Sequence, residues 1–191
     1  MPTFSEESRL LIAKWEAVTD ILEATRRLEV ELIGIVRAVE PKLAQSDWWR
    51  NGWSMIYQEQ GATLSNARWR RSGTDLISVR LFQFTPKSVF GMEPPPYLCL
   101  GVGGKLTGML PKLIEEVKTR GAEEGILGEL VEKNTNNYVV QQVVAKCLPE
   151  QLDEYTVEVG EQMLAFFDHY GRLVDEWTPM IDDYLKADGD A

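Results

Sequence analysis

His169 is the one histidine of the chain, and it stands next to Asp168. Imidazole titrates near neutral pH, so such a pair could act as a base with its orienting carboxylate. The base needs a nucleophile, and no Ser or Cys sits at an identifiable elbow. A His-rich zinc site is impossible with one His, and Cys99, Cys147, His169 and a carboxylate would make one only by coincidence of folding. His169 reads as a partly exposed helix residue. No catalytic residue, metal or cofactor is assigned.

Gly101-Val102-Gly103-Gly104-Lys105-Leu106-Thr107 runs from a strand into a helix, where backbone N–H groups can hold an anion. The spacing fails the Walker pattern, which needs four residues between the first Gly and Gly-Lys, and Leu106 stands where the dinucleotide fingerprint needs its third Gly. A tight strand-to-helix turn is the expectation. Glu116-Val117-Lys118 has the Glu-x-Lys spacing of some metal-dependent nucleases, but it follows Leu113 and Ile114 on an amphipathic helix. Asp75 is the spare carboxylate, and one carboxylate is not a metal site.

Aromatic and guanidinium groups form a richer constellation. Trp48, Trp49, Arg50 and Trp53 precede or begin one strand, and Arg68, Trp69, Arg70 and Arg71 end the next. A hairpin would bring both groups to one end of a sheet. Indole faces and guanidinium groups can stack on bases and hold phosphates, or they can meet an acidic protein or an internal acidic helix. Trp49, Arg50, Arg68, Trp69, Arg70 and Arg71 are the candidate anion or partner contacts. Strand alternation would put Arg68 and Arg70 opposite Trp69 and Arg71.

The net charge of −10 lies in the last 44 residues: from Leu148 to Ala191 there are 12 Asp or Glu against Arg172 and Lys186, and from Met1 to Cys147 there are 18 of each sign. Glu154, Glu158, Glu161, Asp168, Asp175, Glu176, Asp182 and Asp183 fall mostly off an apolar seam, and are the candidate protein-binding residues. Such a row can be solvated, can meet the chain's own arginines, or can occupy the groove of a basic nucleic-acid-binding protein. An acidic pI of about 4.7 disfavours direct nucleic-acid binding.

These groups must be positioned by a small set of elements. Apolar residues at Leu11, Trp15, Val18, Leu22, Leu32, Val36, Val39 and Leu43 share a helical face, widened by Ile21, Leu28 and Ile35. One long helix, or two in line, spans about 5–40, with Thr3 or Ser5 as its cap, and Pro41 ends or bends it. Strands are expected at Trp53–Gln58, Ala62–Arg71, Leu76–Thr85 and Tyr97–Val102, joined by short connections as an antiparallel meander. A helix follows over Leu106–Thr119, a small helical segment over Glu123–Glu132 and a turn over Asn134–Asn137; over Tyr138–Leu148 the Val pairs at 139/140 and 143/144 have helical spacing, while the β-branched content favours a fifth strand.

Pro149 opens the last helix. Val159, Met163, Phe166, Tyr170, Leu173, Trp177, Met180 and Tyr184 alternate steps of four and three, as a heptad seam does. Thr178-Pro179 interrupts it as N-cap and first residue of a terminal helix.

The expected fold is α+β: a small, mainly antiparallel sheet of four to five strands flanked by long N- and C-terminal amphipathic helices. The chain reads as one domain over 1–191, with a helical segment over 1–45, a sheet-containing body over 50–148 and acidic helices over 149–191. No membrane span or secretion signal is expected, both cysteines read as buried thiols, and the expected compartment is the cytoplasm. The expected function is a non-enzymatic protein-binding or regulatory protein, such as an inhibitor that presents an acidic helical surface to a basic partner. The alternatives are a phosphate or nucleic-acid ligand at the Trp/Arg cluster and glycine turn, and a structural homo-oligomer, for instance a homodimer.

Overall fold

The computed structural model describes residues 5–71, 74–131 and 136–187. Ser5 caps α1 (Glu6–Ala13): its Oγ accepts the Ser8 N–H at 3.2 Å, satisfying one of the free donors at a helix start. Thr3, the rival cap, lies outside the described residues. Lys14 departs from helical geometry, yet its N–H donates to the Leu10 carbonyl at 3.0 Å and its own carbonyl accepts from Val18 at 2.9 Å. α1 and α2 (Trp15–Leu43) therefore share a nearly unbroken hydrogen-bond ladder. Pro41 does not end the helix. Its missing N–H costs one bond in the last turn, and the fully buried Leu43 holds that turn in place.

The sheet begins with β1 (Trp53–Gln58) and β2 (Gly61–Asn66), paired antiparallel from Trp53↔Asn66 to Gln58↔Gly61. β2 is shorter than expected. The Asn66 side chain accepts the Arg68 N–H at 2.9 Å and turns Ala67–Trp69 into a 3-10 helix, so strand alternation does not apply across Arg68–Arg71. β3 (Arg70–Arg71) and β4 (Thr74–Asp75) then form a separate two-stranded ribbon.

β5 (Ile77–Phe82) returns to the main sheet, a short helix α3 (Pro86–Val89) follows, and β6 (Tyr97–Val102) pairs antiparallel with β5. A 3-10 turn at Gly104–Met109 leads into α4 (Leu110–Glu124). The segment expected to be helical over 123–132 instead supplies β7 (Glu129–Leu130). Gly125 and Gly128 have φ of 85° and 98°, which ends the helix and swings the chain back to the sheet. The expected turn at 134–137 falls partly outside the described residues. β8 (Tyr138–Val143) completes one open antiparallel sheet of six strands, in the order β1-β2-β5-β6-β8-β7, where four to five were expected.

Register puts Leu64, Val79, Leu81, Leu98, Leu100 and Val140 on one face, all essentially inaccessible. α5 (Leu152–Glu176) packs on that face with Val159, Met163, Phe166, Tyr170, Leu173 and, just past its end, Trp177. A side chain at Gly171 would meet Trp48 and Leu64, so only glycine allows this close approach. In α6 (Thr178–Ala187) the buried stripe shifts by one residue from the expected seam. Ile181 and Leu185 are buried, whereas Met180 and Tyr184 are half-buried, because the break at Trp177–Thr178 resets the helical phase.

α2 lies beside α5 and runs in the same direction: Ile35 faces Gly160, and Ser46, just past α2, bonds Asp168. Only Leu32, Val36, Val39 and Leu43 of α2 are buried. No residue from Ser5 to Glu31 is. Among the described residues, no helix is long and apolar enough to cross a membrane.

Candidate functional site

Three of the acidic residues stand seven residues apart on one side of the C-terminal helices, and each meets a specific donor. Asp168 Oδ1 accepts from Ser46 Oγ at 2.8 Å and from Trp48 Nε1 at 3.0 Å. Asp175 accepts from Asn51 Nδ2 at 2.7 Å and from Trp53 Nε1 at 2.9 Å. Asp182 receives a two-pronged contact from the Arg68 guanidinium. Spacing by seven keeps Asp168 and Asp175 on one face of α5, and Asp182 reaches from α6, so three carboxylates capture the segment leading into β1 and the far end of the first hairpin. Charge-assisted bonds of this kind are stronger than neutral ones.

The remaining acidic candidates point elsewhere. Glu154, Glu158, Glu161 and Asp183 are exposed. Glu176 pairs with Arg120 of α4, and Asp183 lies 3.7 Å from Lys186. Asp153 and Glu154 occupy the first turn of α5, where negative charge favours the helix dipole. The row foreseen as one surface is thus divided: its later members tie the fold together, and its first members face water.

The Trp/Arg cluster is brought together as the hairpin argument required. Trp48, Trp49, Trp53 and Trp69 form a chain of edge-to-face contacts with ring centroids 5.8, 5.6 and 5.7 Å apart. Trp69 is 1% exposed, and Trp48 and Trp53 are buried as well. Trp69, singled out as a ligand contact, offers no ring face to a ligand. Trp49 is half-buried, while Arg50, Arg68 and Arg70 are exposed. The side chain of Arg71 lies outside the described set. A shallow groove of about 580 Å³ runs between Asp47, Asn51, Asp168, Arg172 and Glu176. Acidic groups dominate its rim.

The glycine turn is occupied by the fold. Gly103 N–H donates to the Leu76 carbonyl at 2.8 Å, and its carbonyl accepts from Leu106 at 3.2 Å. Asp75 accepts from Ser65 Oγ. Glu116 is half-buried and Lys118 exposed, both on α4, and the main surface grooves draw on none of Asp75, Glu116 and Lys118. Among the described residues no group of three His, Cys, Asp or Glu is placed to hold a metal ion.

Cys99 and Cys147 are buried free thiols, and burial pushes the Cys99 thiol up to about 12, so it is not a thiolate nucleophile at neutral pH. His169 stands with its ring on the edge of Tyr170 at 4.7 Å. Burial first, then Arg172, with Arg120 adding to them, holds it below its ordinary 6.5, against the opposite pull of Glu124 and Asp168. Folding therefore favours neutral His169. The unfolded chain binds its proton more readily, so stability is lost as pH falls below about 6.5. The denaturation midpoint of the wild type is expected to drop more between pH 7.5 and 5.5 than that of His169→Gln. Parallel pH profiles would show that the imidazole contributes nothing to this dependence.

A feature outside the candidate sets is the bare half of the N-terminal rod. Leu10, Leu11, Ile12, Trp15, Ile21, Leu22 and Val30 are 43–72% exposed. The sequence does carry a signal for it: the seam positions between Leu22 and Leu32 are Thr25 and Glu29, polar residues that mark where burial stops.

No family model matches the chain, and no significant match is found among curated proteins or solved structures.

Proposed function

We propose that this is a non-enzymatic protein-binding or regulatory protein whose main docking element is the helical rod from Glu6 to Glu31. One observation carries the reading: seven large apolar side chains stand exposed on a helical extension that buries no residue of its own. Surface apolar residues scattered singly need no explanation, but a contiguous stripe marks an interaction surface, and an amphipathic helix reads a partner through anchors spaced by three and four. The exposed Glu154, Glu158 and Glu161 support a second contact of acidic character, suited to a basic protein surface.

The full-length protein, tagged and recovered from its native source, tests both surfaces through the proteins that come with it. Leu11→Asp with Leu22→Asp is expected to reduce recovery of bound protein at least tenfold while the near-ultraviolet dichroism of the buried tryptophans stays unchanged. Glu154→Gln, Glu158→Gln and Glu161→Gln together are expected to weaken only those contacts that salt also weakens. Equal recovery with the helix variant and the wild type would overturn the assignment of the rod.

A further inference from the structure

We infer that the exposed half of the rod pairs with the same segment of a second copy of this chain, in antiparallel orientation, centred between Glu16 and Ala17. This deepens the docking assignment above and rests on it.

The first argument is continuity with an interface already formed. Leu11, Trp15, Val18, Leu22, Thr25, Glu29, Leu32, Val36, Val39 and Leu43 are separated by alternating steps of four and three without a fault. The last four are buried where α2 lies beside α5. α5 begins at Leu152, and Ile35 of α2 already lies level with Gly160. Because the two helices run the same way, α5 is exhausted within a few turns N-terminal to Ile35. The seam continues beyond it with nothing to pack against, and a heptad seam is a helix-pairing surface.

The second argument is register. In an antiparallel pair centred between Glu16 and Ala17, Trp15 of each copy falls level with Val18 of the other, and Leu11 with Leu22. Four consecutive apolar layers form, bounded at each end by Ser8 level with Thr25. Ile12 and Ile21 flank these layers and widen the apolar strip. A parallel pair in register would instead stack Trp15 on Trp15 and Val18 on Val18, and would bring the second helix onto the seam from Leu32 onward, which α5 already covers, so packing favours the antiparallel arrangement.

The third argument is area. Leu11, Ile12, Trp15, Ile21 and Leu22 are exposed; removing roughly 100 Å² at each from water gives about 1,000 Å² for the two copies, the size of the smaller, weaker interfaces. Such an interface predicts a dimer that dissociates on dilution.

Sedimentation equilibrium of the full chain from about 0.5 to about 100 µM tests this, since those concentrations bracket micromolar affinity. The wild type is expected to pass from monomer to dimer across the series. Leu11→Asp with Leu22→Asp is expected to stay monomeric, with at least a thirtyfold loss of affinity. Leu11→Cys and Leu22→Cys proteins, treated with a copper–phenanthroline oxidant, are expected to cross-link to each other when mixed and not when each is alone, since Cys99 and Cys147 are buried. A wild type that stays monomeric throughout, or a dimer indifferent to the Leu11 and Leu22 changes, would overturn self-pairing. If the helix variant nonetheless loses a different co-purified protein, self-pairing alone has failed and the docking assignment stands. If it loses none, both have failed. A mixture that cross-links no better than either cysteine variant alone would overturn the antiparallel register.

Discussion

Asp168→Ala combined with Asp175→Ala is expected to lower folding stability by about 3–5 kcal/mol, since each change strands a buried indole N–H and unsatisfied buried donors cost about 1–3 kcal/mol apiece. Trp48 and Trp53 donate to these carboxylates at 3.0 and 2.9 Å, and Ser46 and Asn51 supply the second bond to each. Removing both acceptors therefore releases the segment between α2 and β1 from α5, as well as losing four hydrogen bonds. Asp168→Asn with Asp175→Asn keeps an acceptor oxygen on each side chain, and should recover more than half of the loss. Urea unfolding followed by tryptophan fluorescence and by far-ultraviolet dichroism measures both. A double alanine variant within about 1 kcal/mol of the wild type would mean that water replaces the carboxylates freely, because that is the ordinary scatter of surface substitutions.

Gly61→Ala is the other large effect. Gly61 sits at the start of β2 with φ of 156°, and a Cβ there would lie 2.0 Å from the backbone carbonyl oxygen of Leu81 in β5. A flexible side chain could move aside, but a strand carbonyl cannot move without breaking the β2–β5 pairing. Overpacking and an unfavourable backbone angle each cost about 1–3 kcal/mol, so a combined loss of about 3–5 kcal/mol is expected, large against the 5–15 kcal/mol that holds a typical domain together. Thermal and urea midpoints would register it, and hydrogen exchange should show the loss first at the β2–β5 amides. A Gly61→Ala protein as stable as the wild type would show that the strand slides to make room.

Elements with a strong periodic signal were legible from residues alone. Tyr97–Val102 is a strand with the expected bounds, and the Val159–Trp177 seam is the buried stripe of α5. The sheet's edge was not legible. β7 is two residues long and lies beyond two glycines with positive φ, so its identity comes from pairing with β8 and not from local pattern. The acidic row illustrates a second limit. A carboxylate that accepts an indole N–H more than 100 residues away looks, in sequence, like one that faces water. Asp168 and Glu161 differ only in what the hairpin brings to them. The N-terminal rod illustrates a third. Its steps of four and three run unbroken from Leu11 to Leu43, and only the polar Thr25 and Glu29 within them mark that burial is confined to the part beside α5.

The four tryptophans from Trp48 to Trp69 also give the molecule a built-in optical partition. Rings at 5.6–5.8 Å in edge-to-face contact share excitation energy and couple their near-ultraviolet transitions, so they absorb as one chiral chromophore whose sign and intensity depend on α5 holding the indoles in place. Trp15, 62% exposed on the rod, stands outside that group and emits as a solvated indole, open to collisional quenching by iodide or acrylamide. Two readings of the same sample thus separate two events: the dichroic band reports the integrity of the body, and the quenchable red emission reports what covers the rod.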